Sequence, residues 1–101
     1  MTTVTDRVIV IIGADDPSDA LLARAAQFDE VFVVARAVPD PAHRWVVDDD
    51  RSEAAGRARL GRAVARLRVR GVRVSGVLGD AAAAAARGDA RALFPRAEIL
   101  G

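Results

Sequence analysis

The sequence contains no cysteine, no lysine and no tyrosine, and it has a single histidine, His43. Without cysteine the chain has no disulfide, no thiolate metal site and no cysteine nucleophile. All fifteen basic residues are arginine, which together with the many alanines is typical of a GC-rich genome rather than of guanidinium chemistry. Aromatic side chains are few, since there are only Phe28, Phe32, Phe94 and Trp45. The sequence therefore predicts a tight core of small side chains.

The sequence also lacks a large net charge and a long hydrophobic run. The formal net charge is +1, so no overall field draws the chain to nucleic acid or to an acidic membrane surface. The apolar run 8–12 is too short for a membrane span or a secretory segment. A length of 101 residues is typical of one domain. We therefore expect residues 1–101 to form one cytoplasmic domain that binds neither nucleic acid nor membrane.

The run 8–12 consists entirely of β-branched residues, with neither a helical nor an alternating pattern. Such a run favours a strand that is covered on both faces. Gly13 ends the strand, and Asp16-Pro17 predicts a helix start with the carboxylate as N-cap and proline at the first helical position. This helix is expected to continue to about Gln27. A strand, a tight turn and a helix form the first half of a βαβ unit.

The remainder of the chain repeats this alternation of strands and helices. Gly71 is expected to end the second helix in a left-handed conformation, and Gly88 is expected to weaken the third helix. The third strand alternates polar and apolar residues, which indicates an edge position. The predicted elements are a strand at 31–35, an irregular segment at 37–50, a helix at 51–70, a strand at 72–78, a helix at 80–93 and a strand at 97–100.

This order predicts an α/β fold with three layers, α/β/α, around a four-stranded parallel sheet. Right-handed crossovers favour the strand order 3-2-1-4, with the first strand in the centre. In an open parallel sheet, ligands bind outside the carboxyl ends of the strands. The candidate ligand-binding residues are therefore Gly13 and Asp15 after the first strand and Gly79 and Asp80 after the third.

Carboxylates at this edge also raise the alternative of a Mg²⁺ site, formed by Asp15, Asp16, Asp40 and Asp80. Helix caps and turns explain the same residues individually, with Asp16 and Asp80 as caps, and this interpretation is favoured. The run 48–50 adds three aspartates, which suit the start of an arginine-rich helix. We therefore predict no metal site.

Catalytic residues are not indicated. His43 as a general base needs a nucleophile and an orienting acid within reach, and the serines lie on different predicted elements. A basic stripe on the second helix is favoured as a solvated face over a nucleic-acid contact, because no aromatic residues accompany it; it consists of Arg59, Arg62, Arg66 and Arg70. The segment Trp45–Val47 is either a hydrophobic plug or a contact surface. We expect a protein that is not an enzyme.

The pattern resembles the universal stress protein family across nearly the whole chain. The resemblance is carried by order and spacing: Ser18-Asp19-Ala20-Leu21, Leu67-Arg68-Val69-Arg70-Gly71-Val72, Val77-Leu78-Gly79-Asp80 and Ala97-Glu98-Ile99-Leu100-Gly101. A reduced subgroup of the family is similar at Arg44-Trp45 and at Leu93-Phe94-Pro95. The resemblance implies the parallel α/β fold of that family.

Two departures from the family bear on function. Members that bind nucleotide have an aspartate where this chain has Gly13, and a glycine-rich phosphate loop of which Gly101 matches at most the first residue. The resemblance therefore implies no cofactor and a loss of ATP binding. The expected function is regulation or protein interaction with an unidentified partner, as a homodimer through the edge strand near Ile99 and Leu100. The alternative is a small-molecule or nucleotide (ATP or AMP) binding protein that uses the strand edge at Gly13 and Gly79.

Overall fold

The computed structural model of the chain describes residues 6–38, 49–80 and 82–101. Strands and helices alternate along the chain, as predicted. The elements are β1 (Arg7–Ile12), α1 (Asp19–Ala25), β2 (Glu30–Arg36), α2 (Asp49–Val69), β3 (Arg73–Gly79), α3 (Ala83–Leu93) and β4 (Glu98–Leu100). The four strands are parallel and their order is β3-β2-β1-β4, which confirms the predicted order.

Strand β1 lies inside the sheet because it is apolar along almost its whole length. Ile9 is the Cα partner of Phe32 in β2 and of Ile99 in β4. The residues Val8–Ile12 are all buried. Strand β3, by contrast, has exposed residues at every second position, and it forms one edge of the sheet, as its alternation predicted.

The core consists of two hydrophobic clusters that share β1 and β2. One cluster combines Val8 and Val10 with residues of α1 and α2, including Leu22 and Leu67. The other cluster combines Ile9 and Ile11 with Ala86 and Ala90 of α3. Because successive strand residues point to opposite faces, the two clusters lie on opposite sides of β1.

The start of α1 differs from the prediction. Its N-cap is Ser18, whose backbone is extended and whose Oγ accepts a hydrogen bond from the Leu21 amide at 3.1 Å. The helix begins at Asp19, so the prediction of Asp16 as N-cap and Pro17 as first helical residue is wrong. A serine hydroxyl suits this position as well as a carboxylate does, and the carboxylate of Asp16 instead forms an ion pair with Arg62 of α2.

Helix α2 packs closely on β3 because two glycines remove side chains from the contact. A Cβ atom at Gly56 would lie 2.6 Å from Cδ1 of Leu78. A Cβ atom at Gly76 would lie 2.5 Å from Cδ1 of Leu60 and 2.9 Å from the Val33 carbonyl oxygen. All three distances are shorter than van der Waals contact, so a larger residue at either position would displace a leucine side chain, and at Gly76 it would also meet the main chain of β2.

The ends of α2 and α3 test the predictions of where these helices begin and end. Gly71 follows α2 with φ +79°, which confirms the predicted left-handed residue. Helix α3 begins at Ala83 rather than at Asp80, and its N-cap Ala82 has no side-chain bond. It continues without interruption through Gly88 to Leu93, and its C-cap is Phe94, directly before Pro95.

Candidate functional site

The carboxyl ends of β1, β2 and β3 bring the predicted ligand residues to one edge of the sheet. Gly13 follows β1 and Gly79 ends β3. Because β2 lies between these strands, the two glycines are separated by two strand spacings, about 10 Å. The predicted residues therefore share an edge, but they are not neighbours.

Arg36 at the end of β2 occupies the space between the two glycines. It is the Cα partner of Gly79 in the sheet. Its Nη1 atom lies 3.1 Å from the point where a Cβ atom of Gly13 would be. The absence of a side chain at Gly13 thus lets a guanidinium group lie over the end of β1. The sequence prediction omitted Arg36, and its position directly after a buried strand was the signal that could have found it.

The loop between β1 and α1 is held by arginines of α2. Arg62 donates to both carboxylate oxygens of Asp16, at 3.1 to 3.2 Å. Arg66 donates to the Pro17 carbonyl oxygen at 2.9 Å and also to the carboxylate of Asp19. Asp15, the other predicted ligand residue in this loop, is exposed. The carboxylate of Asp16 is therefore engaged in fixing the loop against α2.

Asp80 has a local structural contact. Its Oδ1 atom accepts a hydrogen bond from the Ala82 amide at 2.8 Å, which is the geometry of an aspartate turn. The prediction that Asp80 caps α3 is wrong, because the helix begins three residues later. Among the described residues, no group of three or more acidic or histidine side chains is placed to hold a metal ion. Asp40, His43, Trp45–Val47 and Asp48 lie outside the described residues.

The basic stripe of α2 is not a uniform solvated face. Arg59 is only 1% exposed, and its Nη1 atom donates to the Val38 carbonyl oxygen at 2.8 Å. Arg62 and Arg66 are partly exposed and bind the β1–α1 loop. Arg70 is exposed. The prediction of a solvated face is therefore wrong for Arg59, which belongs to the interior.

The opposite edge of the sheet carries a second group of contacts that the sequence did not indicate. Arg7 lies 4.2 Å from the ring centroid of Phe94 and forms an ion pair with Glu30 at 2.5 Å. Phe94 also packs edge-on against Phe32, with ring centroids 4.9 Å apart. A cavity of about 530 Å³ lies beside Phe94, at the amino ends of β1 and β4. Its walls are therefore fixed by a cation–π pair and an aromatic pair.

Within the described residues, no helix is both long enough and apolar enough to cross a lipid bilayer. Comparison with known proteins finds no match for this chain, whether among family models, curated proteins or solved structures.

Proposed function

We propose that the chain is a non-enzymatic protein-interaction module of the universal-stress-protein type, with a three-layer α/β/α arrangement. The parallel sheet with strand order β3-β2-β1-β4 supports this architecture. The observation that carries the interaction function is the apolar surface left exposed beside α3. Val77 of β3 is 43% exposed and Leu93 of α3 is 61% exposed, and both line one groove with Phe32 and Val34. Regulation in the cytoplasm is part of the same proposal.

Self-association is the simplest form of this interaction. A strand at the edge of a sheet has unpaired main-chain groups on one side, and these invite pairing with another chain. The sequence assigns the homodimer contact to the β4 edge near Ile99 and Leu100. In the structure β4 pairs with β1 over three residues, and Leu100 is buried while Ile99 is half-buried.

The mass of the protein in solution tests this proposal. We expect light scattering to give the mass of two chains at micromolar concentration, with dissociation on dilution. A mass of one chain up to 100 times that concentration would contradict self-association.

A second candidate is a small-molecule binder that takes ATP or AMP at the carboxyl edge. The guanidinium group of Arg36 beside Gly13 favours it, because a cation at this edge suits a phosphate group. Binding would raise thermal stability, since a ligand at 100 times its dissociation constant adds about 2.7 kcal/mol.

Thermal unfolding with ATP, AMP, adenosine and Mg²⁺ decides this candidate. We expect ATP or AMP to raise the midpoint of the wild type more than adenosine does, and the Arg36→Ala variant to lose that difference. Equal midpoints with all four additions would remove the candidate.

A further inference from the structure

Strand β3 has the longer of the two free edges. It pairs with β2 over seven residues, and no described strand lies on its other side. The Gly79 carbonyl oxygen accepts a hydrogen bond from the Ala37 amide at 3.2 Å, so the main chain of Gly79 points toward β2. Main-chain groups of successive strand residues point alternately to the two neighbours. The N–H and C=O groups of Val74, Gly76 and Leu78 therefore point to the free edge.

We propose that this edge pairs with β3 of a second copy of the chain, antiparallel, around a two-fold axis at Gly76. The inference rests on the proposed self-association and assigns it to β3 instead of β4. A two-fold axis perpendicular to the sheet leaves the α2 face of both copies on the same side of the joined sheet. Residues that oppose each other across the axis must therefore have their side chains on the same face. Gly76 then faces Gly76 of the second copy, and Val74 faces Leu78. Both are hydrogen-bonded pairs, because these main-chain groups point outward.

The helix above β3 leaves room for this pairing. Leu60 lies over Gly76 of β3, and the same glycine lies against Val33 of β2, so α2 sits above the boundary between the two strands. Adjacent strands are about 4.8 Å apart, which separates the two copies of α2 by about 10 Å. Packed helices lie about 8–10 Å apart. The two α2 helices therefore meet when the strands pair.

Charges on the outer side of α2 are complementary across this axis. Arg62 and Arg66 point toward α1, so at 100° per residue the other side carries Glu53, Arg57, Val64 and Arg68. Within the helix Glu53 forms an ion pair with Arg57 at 3.6 Å. Because Leu60 is level with Gly76, the axis brings Glu53 within one turn of Arg68 of the second copy. Arg68 is exposed, and Val64 is half-buried. Leu60 and Val64 near the axis, with Glu53 between Arg57 of its own helix and Arg68 of the second copy at each end, fit a second copy of this chain.

Disulfide cross-linking tests the register directly, because the chain contains no cysteine. Ser75 and Val77 are opposed as a non-hydrogen-bonded pair, with Cα atoms about 4.5 Å apart, which permits a disulfide. Two copies of Ser75 lie about 8 Å apart, which does not. We expect an oxidised mixture of Ser75→Cys and Val77→Cys variants to give linked pairs that contain one of each. Each variant alone should stay largely unlinked.

An Ile99→Cys variant reports on the β4 edge in the same experiment. Linked pairs from Ile99→Cys, with none from the β3 mixture, would overturn this inference while leaving the proposed homodimer intact. A dimeric mass with no linked pairs would also overturn it. A monomeric mass for the wild type would overturn both proposals.

Charge exchange on α2 provides the second test. We expect Arg68→Glu and Glu53→Arg each to raise the dimer dissociation constant about tenfold, since each creates two repulsive pairs. An equimolar mixture of the two variants should recover most of the wild-type affinity, because both pairs between the copies are again opposite in sign. Recovery is not complete because Glu53→Arg still lacks its pair with Arg57 in the same helix. Arg70→Glu is the matched control: Arg70 is exposed and directly follows α2, two residues or about 200° around from Arg68. The same change of charge there should stay within about twofold of wild type. Equal effects of Arg68→Glu and Arg70→Glu would refute the interface.

Discussion

Replacing the buried Arg59 should destabilise the fold more than replacing any other arginine of α2. The Arg59→Ala variant loses a hydrogen bond from a charged donor to the Val38 carbonyl oxygen, which contributes about 1.5–3 kcal/mol. It also loses two buried methylene groups of the side chain, at about 0.8 kcal/mol each. The expected loss in the free energy of unfolding is therefore about 3–5 kcal/mol, against a total of about 5–15 kcal/mol for a domain.

Urea unfolding followed by far-ultraviolet circular dichroism measures this loss, with all proteins at one concentration so that self-association contributes equally. Arg59→Met keeps most of the buried stem and should lose only the hydrogen-bond part, about 1.5–3 kcal/mol. Arg70 is an exposed arginine that directly follows the same helix, and Arg70→Ala should stay within about 0.5 kcal/mol of wild type. If Arg59→Ala also stays within that range, Arg59 is not an interior residue and the reasoning fails.

Three further predictions concern local contacts and use the same urea measurement. Gly76→Ala should lower the free energy of unfolding by about 1–3 kcal/mol through overpacking. A Cβ atom at Gly88 meets nothing within 4 Å, so Gly88→Ala should raise the free energy of unfolding by about 0.5–1 kcal/mol. A change of the same sign for both variants would contradict the packing of α2 on β3. Ser18→Ala removes the N-cap of α1 and should cost about 1 kcal/mol, with Ser18→Asp as the variant that restores the cap. A double-mutant cycle on the exposed pair of Arg62 and Asp16 should give a coupling energy of at most about 1 kcal/mol, and this energy should fall in 1 M salt. A larger coupling energy that salt leaves unchanged would show that the pair is shielded from water.

The strand order could be predicted from composition because a central strand is buried on both faces and is apolar throughout, whereas an edge strand is buried on one face and alternates polar and apolar residues. Val8–Ile12 has no polar residue and lies in the centre, whereas β3 alternates and lies at the edge. The handedness of crossover connections then left few alternative orders. Gly71 was predicted correctly for a similar reason, since a positive φ is rarely tolerated by any other residue.

The candidate site was less predictable because its residues are selected by tertiary contacts. Arg59 and Arg62 have the same side chain and lie on one helical stripe, yet one is buried and the other exposed. Asp16 and Ser18 are both good N-cap residues, and the ion pair with α2 is what engages Asp16 elsewhere. Arg36 reaches Gly13 across the sheet, a relation between residues that are far apart in the chain. Local patterns contain no information about such partners.

The two glycines at the contact between α2 and the sheet also bear on the side chains that pack beneath the helix. A Cβ atom at Gly56 would lie 3.0 Å from the Arg36 carbonyl oxygen, so the helix backbone comes close to the end of β2 there, whereas at Gly76 the Leu60 side chain fills the space. The interior under α2 is filled by alanine, valine and leucine, such as Ala63 and Leu67. A larger residue at Gly56 would push α2 away from the end of β2, and one at Gly76 would displace Leu60, so the two glycines together maintain the close approach of the helix to the sheet.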